Sequence, residues 1–137
     1  ILEGYAAKLA CSRLTAKEID RLQTINERLS ELCEQGDIKQ FFKIHNDFHD
    51  LFIKAADNDK LREMINLLVT RFQRLRLMSL SQPGRMAVSV QEHKKIIAAF
   101  RSRDCEAAEL LVRKNAEYGG KVLLDESVCR PGEAMDL

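Results

Sequence analysis

A chain of 137 residues with 22 basic and 21 acidic side chains carries a formal net charge of +1. That balance gives no reason to expect a polyanion-gripping surface, and a hydrophobic share of 45% argues against a mainly disordered chain. The length suffices for one domain that buries a core without disulfides or a structural metal.

No window approaches the roughly 18 consecutive apolar residues of a membrane span, so no membrane partner is expected. With no basic-then-apolar leader either, the chain is expected in the cytoplasm. Cys11, Cys33, Cys105 and Cys129 are scattered singly, without the spacing of a zinc knuckle or a disulfide framework, and read as reduced packing residues. The opening stretch ILEGYAAKLA has no initiator methionine and is already in helical rhythm, so an upstream partner domain is expected.

Apolar periodicity and stop signals predict six helices and hardly a strand. The first covers residues 1–12. Thr15 followed by Glu18 forms a capping box that opens a second helix running to Gly36. Asp37 caps the third, which runs to about Ala56. The stretch DND at 57–59 breaks the chain before a fourth helix over Leu61–Leu80, and SQPGR at 81–85 breaks it again. The fifth helix is predicted over Met86–Ser102 and the sixth over Asp104–Leu124. Residues 125–137 lack a period, contain Pro131 and Gly132, and are expected to form a flexible tail. The fold class is thus all-α, an antiparallel bundle of about six helices, with residues 1–124 as the folded domain.

At about 100° per residue, helix faces follow by arithmetic. On the third helix Phe41, Phe48 and Phe52 lie within about 60° of His45, and His49 is about 40° away in the same arc. On the fifth helix Val90, Ile96, Ile97 and Phe100 surround His93, and on the sixth Ala108, Leu111 and Val112 flank Asn115. Three imidazoles and a carboxamide therefore point inward. Unpartnered, each would cost about 1–3 kcal/mol, so a shared ligand is economical. Imidazoles at i and i+4 can both reach one metal, and His93 adds a nitrogen from another helix. Zinc or nickel suits this set. A single such histidine is more often a core residue bonded to a carbonyl; all three inward together favour a divalent metal. Asn115 is the weaker candidate ligand, since a buried asparagine often satisfies backbone or water.

On the fourth helix Arg71 falls between Met64 and Met78, at the edge of the stripe of Leu61, Leu68, Phe72 and Leu75. Aimed at a bundle cavity, it would clamp an effector carboxylate; otherwise it is a snorkelling arginine or part of an internal salt bridge. Arg74 and Arg76 read as solvated charges. Gly119 and Gly120 either permit a close helix approach or end the last helix early.

Enzyme motifs are poorly supported. HNDFH has the histidine spacing of the HExxH zinc proteases, but Asn46 stands where the general base belongs. A di-iron bundle would need Glu-x-x-His pairs, and Phe42, Asn46 and Val90 occupy the glutamate positions.

The order of elements resembles the C-terminal ligand-binding (FCD) domain of GntR-type transcription regulators, FadR subfamily. The resemblance covers about residues 1–124 and rests on LEGYAAKLA, FHDLFIKAADN and EHKKIIAAFRSRDCEAAELLVRKN. It implies a divalent-metal site in which His49 and His93 match two ligand positions, with His45 at a position usually Asp or Asn, and Asn115 where a final histidine is usual. It also implies a homodimer, a small organic acid as effector, and DNA binding through an N-terminal winged helix-turn-helix absent from this chain. Six helices rather than seven resemble the VanR-type branch. The expected function is effector sensing by a transcription regulator. The alternatives are a structural dimerisation module whose polar cluster only secures the fold and, third, a metal-dependent enzyme.

Overall fold

The structure, a computed structural model, describes residues 1–129. Among them six helices and no strand follow in chain order: α1 (Leu2–Cys11), α2 (Ala16–Gln35), α3 (Ile38–Ala55), α4 (Asp59–Leu80), α5 (Arg85–Ser102) and α6 (Cys105–Cys129). No helix among the described residues is long and apolar enough to cross a membrane.

The boundaries have local chemical causes. Thr15 Oγ1 accepts from the Glu18 amide while Glu18 Oε2 accepts from the Thr15 amide, closing the capping box. Gly36, at φ 69°, ends α2 in the left-handed conformation that only glycine adopts without cost. Asp37 and Asn58 then accept from the amides of Gln40 and Leu61, opening α3 and α4. Two arginines cap C-terminal carbonyls across the fold: Arg13 donates to Ala56 O, and Arg103 to Cys11 O at 2.6 Å.

One boundary differs substantially from expectation. α6 runs to Cys129 rather than Leu124, because nothing in DESVC breaks a helix and the first strong breaker is Pro131. The remaining tail residues, 130–137, lie outside the described part.

α1 packs on α6 and α3, α2 on α3 and α5, and α5 on α6. At the α1–α6 contact a Cβ on Gly4 would stand 2.9 Å from the Glu109 carbonyl oxygen and 3.3 Å from Arg113 Cβ. Both neighbours belong to a helix that cannot give way locally. Gly4→Ala is expected to lower unfolding stability by about 1–3 kcal/mol in a urea titration, although alanine is the better helix former.

The core comes in two clusters. One gathers Ile19, Leu22, Phe48, Phe52, Ile96 and Phe100; the other gathers Leu29, Leu32, Phe41, Leu80 and Val90. Along α2, α3 and α5 the residues between the clusters are Asn26, His45 and His93, with His49 one turn further along α3, all buried. A polar layer therefore divides the apolar interior. Cys11, Cys33 and Cys105 stay out of it. Burial, with Cys105 beside it, pushes the Cys11 thiol up to about 12, the behaviour of a packing residue, and Cys33 and Cys105 are half-buried against the core. The Cys129 side chain lies outside the described part.

Candidate metal and effector site

His45 and His49 lie on consecutive turns of α3, and His93 faces them from α5. The ring centroids are 4.7 Å apart for His45 and His49, 5.1 Å for His45 and His93, and 5.4 Å for His49 and His93. One nitrogen from each ring can be chosen so that all three lie within 4.8 Å of one another. Tetrahedral ligands at bonds of about 2.0–2.1 Å stand about 3.4 Å apart, so the rings would have to draw in by up to roughly 1.4 Å to share one ion. The three imidazoles thus meet as the helical arithmetic required.

Two further residues set the direction of the rings. Asn26 Nδ2 donates to the Val90 carbonyl at 3.1 Å, which turns its Oδ1 towards His93 Nδ1 at 3.2 Å. His93 therefore carries its proton on Nδ1, and its Nε2 lone pair, buried without a hydrogen-bond partner, faces inward. Phe48 stacks flat on the same ring, with centroids 3.8 Å apart and planes 2° from parallel. Glu3 of α1 places Oε2 3.1 Å from His49 Nδ1, within ion-pair range although off the line of a good hydrogen bond. Carbonyl and carboxylate partners behind imidazoles are the usual supports of metal-binding histidines. Buried nitrogens without partners on all three rings make the set fit a divalent cation.

Electrostatics agree. His45 and His93 are held well below the ordinary histidine range, first by burial and then by neighbouring positive groups, Arg85 among them. They are neutral, the form that ligates metal. Burial alone would raise the Glu3 carboxyl, but His49 and Arg76 outweigh it and hold the group well below the usual carboxylate range. Glu3 is an anion inside the protein.

Beside His45 opens a cavity of about 360 Å³, whose polar lining includes Glu3, Arg76, Ser79, Arg85 and Asn115. Arg76 is fixed by Glu3 Oε1 at 2.6 Å and Asn46 Oδ1 at 3.1 Å. Arg85, buried at the start of α5, pairs with Glu92 Oε2 at 3.1 Å and lies over the Tyr118 ring. Asn115 lines the cavity too, and its Nδ2 donates to the same Glu92 oxygen at 2.5 Å.

Arg71 is the correction. It is exposed and is not part of the cavity wall. The inward axis of α4 is marked by buried Leu61, Ile65, Ser79 and Leu80; measured from Ile65, Arg71 points about 120° away and Arg76 only about 20°. The apolar stripe of Leu61, Leu68, Phe72 and Leu75 is itself half outward, so it points to Arg71 where the buried residues point to Arg76. Glu3 and Asn26, not singled out from sequence, were findable by the same arithmetic: Glu3 shares a face with Ala7 and Ala10, and Asn26 with Ile19, Leu22 and Leu29. Arg85 had no such signal, since it sits in a turn sequence.

The family model for the FCD domain matches residues 1–117. Among curated proteins the chain is similar to the HTH-type transcriptional repressor RspR of Escherichia coli K12, 25% identical over 108 residues, covering 79% of this chain and 47% of the relative. An uncharacterized HTH-type transcriptional regulator, YdfH of Shigella flexneri, matches with the same identity and coverage. Among solved structures E. coli McbR/YncC superposes with a TM-score of 0.82 at 23% identity, over 91% of this chain and 63% of that one. The chain spans about half the length of the curated relatives it matches.

Proposed function

Because the chain belongs to the FCD domain family, we propose that it is the effector-sensing module of a GntR-type transcription regulator, holding a divalent metal and a small carboxylate next to each other. The observation that carries the proposal is the triad of buried inward imidazoles, supported by Asn26 and Glu3 and meeting, at His45, a cavity with two arginines in its wall. In this reading His45, His49 and His93 hold the ion, zinc or nickel, with the Asn115 carbonyl oxygen as candidate fourth donor. The ion would supply positive charge and open positions for effector oxygens.

The protein's own groups do the rest. Arg76 and Arg85 face the cavity as permanent cations, and each already has an internal carboxylate, Glu3 or Glu92. An entering carboxylate competes with Glu3 for Arg76, and so links occupancy to the position of α1. DNA is bound through an N-terminal winged helix-turn-helix outside this chain, as the HTH-type relatives suggest, and the regulator works in the cytoplasm as a homodimer. Met64, Leu67 and Met78 of α4 offer exposed apolar surface for that pairing. The displacement passes to the DNA-reading heads as a change in their spacing.

The test is metal content by mass spectrometry on protein prepared without a metal-binding tag, followed by thermal unfolding with small carboxylates. Near-stoichiometric metal and stabilisation by some carboxylates only when metal is present are expected. A structural dimerisation module would ignore every carboxylate.

A further inference from the structure

The middle of α4 stands away from the bundle. Between buried Ile65 and buried Ser79 no residue of the helix is buried, although Phe72 points within about 20° of the Ile65 direction. Phe72 is 53% exposed and Leu68 44%, and both line the cavity. The opposite wall is α6, which presents Ala116, Gly119 and Gly120. Helices with apolar side chains on one and almost none on the other would ordinarily close on each other. Here the gap remains, and it connects with the space beside His45.

Two polar groups in the same cavity lack partners. Ser79 is 4% exposed and Arg85 5%, and Ser79 Oγ and Arg85 Nε make no hydrogen bond. Such groups are ordinarily satisfied, and beside a cavity they are donors that a ligand or a water could use.

We propose that the effector is an amphipathic monocarboxylic acid, its carboxylate at the His45 and Arg76 end and its apolar body lying between Phe72 and Leu68 of α4 and the glycines of α6. This rests on the carboxylate-sensing reading and specifies the other half of the ligand. A cavity of 360 Å³ holds the volume of about a dozen waters at about 30 Å³ each, room for an acid of about six to eight carbons. The internal carboxylates bear on charge as well. Glu3 and Glu92 already neutralise Arg76 and Arg85, which suits one added negative charge better than the three of a tricarboxylate.

Isothermal titration of the zinc-loaded chain with acetate, butyrate, hexanoate, octanoate and citrate tests this. Affinity is expected to rise about fourfold per methylene from acetate to hexanoate or octanoate, with citrate weaker than either. A Cβ on Gly120 meets no heavy atom within 4 Å, so Gly120→Leu folds and fills the trough; it is expected to bring octanoate down to the affinity of butyrate and to leave butyrate unchanged. Phe72→Ser removes the apolar roof and is expected to flatten the series. Equal affinity for acetate and octanoate, or octanoate binding untouched by Gly120→Leu, overturns this inference while leaving carboxylate sensing in place. Failure of every acid to bind overturns both.

Discussion

Zinc added to the metal-stripped chain is expected to raise the midpoint of thermal unfolding by about 10–15 °C. An ion that binds only the folded state stabilises it by about 4 kcal/mol when free metal exceeds the dissociation constant a thousandfold. For a domain of this length each kcal/mol moves the midpoint by a few degrees. The shift should vanish in His49→Ala/His93→Ala, because one imidazole cannot replace three. Glu3→Gln discriminates further. It keeps every candidate ligand and the approximate shape of the side chain but removes the charge facing His49 Nδ1 and Arg76. Metal affinity is expected to fall about 10- to 100-fold, so Glu3→Gln should show the zinc-dependent shift only at higher zinc. Comparing each protein with and without zinc separates this effect from the loss of stability that a buried substitution brings by itself. An equal shift in the double variant would place the metal elsewhere.

Much of this site was legible in the sequence, for reasons that also explain what was not. The helix starts at Thr15 and Asp37 are written in capping chemistry, which acts over three residues and needs no tertiary information. The inward direction of His45, His49 and His93 is equally local, because the apolar residues around them are dense enough to fix a face. α4 lacks that density. Its apolar residues Leu68, Phe72 and Leu75 border a cavity or solvent rather than a core, so they do not show which arginine turns inward: Arg76 lines the cavity and Arg71 is exposed. The pairings that build the polar layer lie beyond periodicity. The layer arises only when Asn26 of α2 meets His93 of α5 and Glu3 of α1 meets His49 of α3, pairings that the bundle's topology decides.

Acid should reveal the buried imidazoles in the absence of metal. His45 and His93 stay neutral in the folded chain because burial, reinforced by nearby positive charge, disfavours their cations. In the unfolded chain each takes up a proton near the ordinary value of 6.5. Below that value the unfolded state binds more protons than the folded one, so stability falls as pH falls, by about 1.4 kcal/mol per histidine for each full pH unit. For the pair, urea unfolding of the metal-free chain is expected to show a loss of about 2–3 kcal/mol between pH 8 and pH 5.5. Glu3 acts in a lower window. Its folded-state value is depressed from 4.5, so its contribution is complete above about 4.5 and is lost only as pH drops further. The two windows do not overlap between pH 5.5 and 8, which makes the slope there a measure of the histidines. Replacing His93 by glutamine should roughly halve it. A stability flat from pH 8 to 5.5 in the metal-free protein would mean that the folded chain takes up these protons as readily as the unfolded one, and the picture of neutral imidazoles held ready for a cation would fail with it.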